Sequence, residues 1–143
     1  MNRDTLRPTL STDLALLAMR LMLATVFVFH GSQKLFGLFG GYGIEGTAGW
    51  MDSIGIPFPT VSTVLVGATE FMGGLALLTG FGQRLIAAPL AFAMLVGALT
   101  AHSGFDATQG GMEYPLTLAV VVAGLGLLGP GRFALGTGGS SAA

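Results

Sequence analysis

The sequence predicts an all-α fold: an integral membrane four-helix bundle, N-in/C-in, with a short interfacial helix in the first outer loop. Three observations carry that prediction. Of 143 residues, 9% are charged and 52% hydrophobic, whereas an ordinary soluble domain carries about 25% charged residues. So few charges could not cover a globule of this size in water. Four segments meet or approach the roughly 20 apolar residues that a membrane-crossing helix needs. Lysine and arginine outside those segments occur in alternate connections.

Residues 1–12 read as a cytoplasmic tail carrying Arg3 and Arg7. The first span covers about 13–39, long enough to tilt or to end in an interfacial turn. Arg20 interrupts its apolar core, Lys34 follows, and no clean small-x-small site comes after. It therefore reads as a retained span and not as a cleaved leader. In the following loop Thr47 can cap a short helix, "AGWMDSIG", with Trp50, Met51 and Ile54 at the membrane surface. "IPFPT" opens the second span, 60–79, placing prolines where no helical N–H is required. Gly80 and Gly82 close it.

The third span, 84–102, holds Pro89 one turn inside, tolerable where neighbours re-satisfy the backbone. The fourth, 113–128, is short and stops at Gly129-Pro130-Gly131. A transmembrane domain of 13–136 results, followed by a flexible tail, 137–143. The 24 glycines follow no collagen period, and small residues in such a chain let helices approach closely.

Orientation follows from the basic residues. Arg3, Arg7, Arg84 and Arg132 fall in three regions that four spans place on one side. The other two loops, 40–59 and 103–112, hold Glu45, Asp52 and Asp106 and no lysine or arginine. The positive-inside rule puts both termini in the cytoplasm. The net charge of −1 argues against nucleic-acid binding. With no cysteine, disulfides, thiolate metal sites, iron–sulfur clusters and c-type haem are excluded, and no metal site is expected.

Candidate functional residues are the ionisable groups inside the spans. A charge near the bilayer centre costs at least about 2.5–3.5 kcal/mol, so Arg20, His30, Lys34, Glu70, His102 and Glu113 should pair or face water. From span midpoints at about 1.5 Å per residue, Glu70 lies near the midplane, Arg20 about 9 Å cytoplasmic of it, His30 about 6 Å outward and Lys34 about 12 Å outward. At 100° per residue, Arg20, Lys34 and His30 project from one face of their helix. Two pairings are expected: Glu70 with Arg20 or His30, and Lys34 with Glu113, His102 beside them. The cluster would open toward the outside. The alternative is a structural fastening of the helices, at about 0.6 kcal/mol per membrane hydrogen bond, too little to offset the insertion cost unless the groups pair well.

Arg20, "HGSQKLFG" (30–37), "GATEFMGGLALLTG" (67–80), His102, "GGMEYPL" (110–116) and "GPGRFAL" (129–135), in that order and spacing, resemble the DoxX family of small bacterial inner-membrane proteins. The resemblance covers roughly residues 14–136. The family's G-x-x-K falls on Gly31 and Lys34, its E-x-x-G-G on Glu70, Gly73 and Gly74, and its later His and Glu on His102 and Glu113. Where many relatives carry Ser and Asp after "GPGR", this chain has Phe133-Ala134-Leu135-Gly136. One branch resembles the large membrane subunit of thiosulfate:quinone oxidoreductase. Another is tied to assemblies with superoxide dismutase and a sulfurtransferase.

The resulting expectation is a multi-pass protein of the bacterial inner membrane and a quinone-linked or redox-associated subunit. It has no intrinsic cofactor, takes a quinone as ligand, and receives electrons from a cofactor-bearing redox partner subunit. Titratable donors suit quinone chemistry, and a histidine near pKa 6.5 suits proton exchange. If catalytic, the chain would be part of a quinone-dependent oxidoreductase. A non-enzymatic scaffold for a redox or stress-response complex is the alternative, and a small-solute or proton carrier working as a homo-oligomer is a further one. A b-type haem between His30 and His102 has the right ligand type, but their estimated depths do not match.

Overall fold

The computed structural model describes residues 9–135; the predicted tail 137–143 and most of the tail 1–12 lie outside them. Helix α1 (Leu10–Phe36) starts where the Thr9 side chain accepts the Thr12 N–H, satisfying one of the orphan donors of a helix start. It stops at Gly37, whose φ of 67° no ordinary residue adopts easily. The predicted span 13–39 thus ends in a turn, one of its two expected forms: Leu38–Gly40 is a 3-10 turn in which Phe39 stacks on Phe29 at 5.0 Å.

Helix α2 (Gly43–Ser53) begins earlier than expected, and Thr47 lies buried inside it instead of capping it. It packs against α1 and α3. Helix α3 (Pro59–Thr79) has its proline in the first turn and ends on Gly80, at φ 79°. Helix α4 (Gln83–Thr100) ends two residues before the predicted boundary, leaving His102 beyond the helix. Helix α5 (Glu113–Leu128) occupies the predicted residues.

Among the described residues the protein is thus all-α, with five α-helices, and α1, α3 and α4 are long and apolar enough to cross a membrane. The exterior agrees: Met22, Leu65, Leu85, Phe92, Leu99 and Val120 are exposed, a cost in water and an advantage against lipid tails. Buried apolar residues, among them Phe27, Leu77, Leu90, Val122 and Leu125, fill the centre.

The helices form two closely packed pairs, α1 with α3 and α4 with α5. Glycine sets the first pairing. A Cβ on Gly31 would lie 2.5 Å from the Phe71 nitrogen, and one on Gly74 2.7 Å from the Val28 nitrogen. The two backbones touch, antiparallel, with residue 31 level with 67–71 and residue 28 level with 74. Gly31→Val is therefore expected to cost about 1–3 kcal/mol or more through overpacking. Gly124→Ala, where nothing lies within 4 Å of the added carbon, should be neutral or stabilising. Thermal unfolding of the two variants in detergent, side by side, checks the contrast.

Candidate functional site

The register of α1 on α3 decides which charges meet. Helical side chains lean toward the N-terminus of their own helix, so on antiparallel neighbours Lys34 and Glu70 lean toward each other. The Lys34 ammonium donates to Glu70 Oε2 at 2.7 Å, with Glu70 3% exposed and Lys34 24%. Neither expected pairing forms. Midpoint depths assumed that α1 and α3 are centred at one level, whereas the glycine contacts place the middle of α3 beside residue 31, about 8 Å from the midpoint of the predicted span.

Arg20 consequently lies well away from Glu70 and has a different role. Fully buried, it donates through Nε to Leu77 O at 2.9 Å and through Nη2 to Leu78 O at 3.1 Å. Its Nη1 donates to Pro130 O at 2.8 Å and Phe133 O at 3.0 Å. Two of these are carbonyls of the last turn of α3, which have no partner within the helix and carry the negative end of its dipole. Arg20 thus closes α3 and ties the segment after α5 to it. Asp13 adds to the tie, its Oδ1 accepting the Arg132 N–H at 3.0 Å.

Glu113 also leaves the expected cluster. As the first residue of α5 it turns back on its own loop, where Oε1 accepts the Ala107 N–H at 2.8 Å. In the same loop Asp106 accepts from the Thr108 backbone and hydroxyl, which holds its carboxyl below the usual carboxylate range.

His30, Lys34, Glu70 and His102 remain together as wall residues of one cavity of about 620 Å³, within the usual size of a ligand site. The His102 Nδ1 lies 2.9 Å from the Gly97 carbonyl oxygen, and the His30 Nδ1 lies 3.1 Å from Gln33 Oε1. An oxygen of either kind only accepts, so both bonds need the proton on Nδ1 and leave the Nε2 lone pair open in the neutral ring. Lys34 has three N–H donors and spends one on Glu70. The rest of the wall is mainly apolar, including Phe27, Met51, Val66 and Leu118, with Thr69 and Tyr114 as further polar members.

Sequence reasoning did not assign Gln33, Thr69 or Tyr114 to the site: Gln33 and Tyr114 lie near helix ends, where polarity is ordinary, and a threonine in mid-helix can bond its own backbone. It also passed over Gln83, 1% exposed, which donates from Nε2 to Leu125 O at 2.8 Å while its Oε1 finds no partner among the described residues. Next to Arg84, a glutamine opening an apolar helix looks like part of an interface and not of a core.

Residues 15–103 match the DoxX family model, more than half the chain and including the glycine-fixed α1–α3 pair. The chain belongs to the DoxX family. This DoxX protein is also similar to Inner membrane protein YqjF of Escherichia coli (strain K12), at 30% identity over 125 residues, 86% of this chain and 90% of that one. No solved structure matches it. With three helices able to cross a bilayer, this DoxX protein is a multi-pass inner-membrane protein.

Proposed function

We propose that the protein crosses the membrane four times with both termini in the cytoplasm. In this reading it binds a quinone in its cavity, as the membrane subunit of a redox system whose electrons arrive through a cofactor-bearing partner. Helix α5, with 16 residues and about 24 Å long, serves as the fourth span, and the arginine distribution sets the orientation.

One observation carries the quinone reading: a mainly apolar cavity of about 620 Å³ has Lys34, Glu70, His30 and His102 in its wall. An apolar chamber with few polar groups suits a lipophilic ring bearing two carbonyl oxygens. Quinone chemistry supplies two-electron, two-proton exchange. Lys34 offers N–H donors to a carbonyl oxygen, Glu70 holds the ammonium in place, and the histidine Nε2 atoms are the ring nitrogens left open to a proton from the ligand.

Titration of the protein in lipid nanodiscs with a decyl-tailed ubiquinone tests the reading through quenching of Trp50, the single tryptophan and a cavity-wall residue. Saturable quenching is expected, with affinity weakened about tenfold, or 1.4 kcal/mol, in His30→Ala. Absence of saturable quenching would remove the quinone proposal.

A second reading, a scaffold without ligand, has its own support. Lys34 and Glu70 join α1 to α3, the most extensively packed helices, as a fastening would.

A further inference from the structure

The cavity has a roof and an open side, and they differ in chemistry. Helices α3 and α4 are joined by three residues, Gly80 to Gly82, and near that turn they pack tightly, with Gly73 against the Leu90 side chain. From the level of Glu70 and Pro89 onward both helices line the cavity, and α3 and α4 touch far less than either helix touches its own partner. The cavity fills the gap. Its wall follows α3 through Ser62, Leu65, Val66 and Thr69 and α4 from Pro89 to Thr100, about 10 Å and 16 Å of helix.

The rim of the gap is apolar and exposed: Leu65 is 64% exposed, Phe92 68% and Val96 37%. All three belong to helices able to span a membrane. The loop end is covered instead. Trp50 and Met51 of α2, with Ile54 just after it, line the cavity there. Met51 is buried there, its sulfur accepting the Thr63 hydroxyl at 3.4 Å and its carbonyl the Ile56 N–H at 3.0 Å.

We infer that the cavity is loaded sideways, from within the bilayer, through a portal between α3 and α4 bounded by Leu65 and Phe92. The ligand is then a membrane amphiphile whose polar head rests at Lys34, Glu70 and His30 and whose apolar tail leaves past Phe92 into lipid. This rests on the reading of the cavity as a binding site and narrows its substrate to tailed molecules.

The natural absence of cysteine permits a test that needs no ligand. Thr69→Cys places a thiol in the cavity wall, and Met72→Cys places a control thiol on the exposed face of the same helix. In proteoliposomes, a maleimide with a decyl chain, concentrated in the bilayer, is expected to label the Thr69→Cys thiol about tenfold or more faster than a charged maleimide supplied on either side. Adding Phe92→Trp should slow that labelling several-fold and leave Met72→Cys labelling unchanged. Comparable labelling by the charged reagent, indifference to Phe92→Trp, or no labelling at Thr69→Cys by either reagent each overturns the portal. Quinone titration separates the two ideas. Lipid-side labelling without quinone uptake keeps the portal and removes the quinone, whereas uptake with water-side labelling does the reverse.

Discussion

Arg20→Ala is expected to destabilise the folded protein by about 3–5 kcal/mol, the cost typical of breaking a buried, hydrogen-bonded charge site. The substitution leaves the carbonyls of Leu77, Leu78, Pro130 and Phe133 without their donor, and in a buried, low-dielectric setting unpaired carbonyls are costly. It also opens a void where a fully buried side chain stood. Arg20→Lys should fall between the two, because an ammonium keeps the charge but lacks the planar fork that spans four acceptors. Unfolding in a denaturing detergent series measures the loss, and limited proteolysis should show residues 130–135 released first. Wild-type stability in Arg20→Ala would rule out the clamp.

The second large effect concerns Lys34 and Glu70, and it separates the two functional readings. Either Lys34→Met or Glu70→Gln alone strands a partner, at about 3–5 kcal/mol, with the added burden of an unpaired charge in a membrane interior. The double replacement by methionine removes both charges while keeping apolar volume, and such swaps are often neutral or stabilising. Thermal stability is therefore expected to fall in each single variant and to return in the double. Quinone affinity should be lost in all three. A stable double variant, beside a wild type that takes up no quinone, would reduce the pair to a fastening and favour the scaffold.

Much of the fold was legible because membranes leave the chain few options. Apolar runs of near-bilayer length must be helices, since only helices satisfy every backbone group internally. Gly80, Gly82 and Gly129 mark helix ends by a backbone preference that needs no tertiary partner. Helix α5 accordingly falls on its predicted residues. Where the sequence reading missed, at the start of α2, the signal was weak: Thr47 was read as a cap when it is buried inside the helix.

The candidate site was legible in composition but not in pairing. Scarce charges inside apolar helices had to be compensated, and they are: Arg20, Lys34 and Glu70 all have partners. Which partner each takes depends on the axial stagger of α1 against α3. No residue on either helix alone encodes that offset. It is set by mutual contact, where Gly31, Gly67 and Gly74 let the backbones meet at one level.

The amino-acid sequence by itself settled that this is a helical membrane protein of the DoxX family with a few ionisable groups within its helices, because hydropathy and glycine placement act locally. Tertiary structure alone decided that Lys34 meets Glu70, that Arg20 closes α3, and that the Glu113 side chain turns back onto its own loop. Those outcomes depend on differences of a few ångströms between helices, and side-chain electrostatics is steep over that distance.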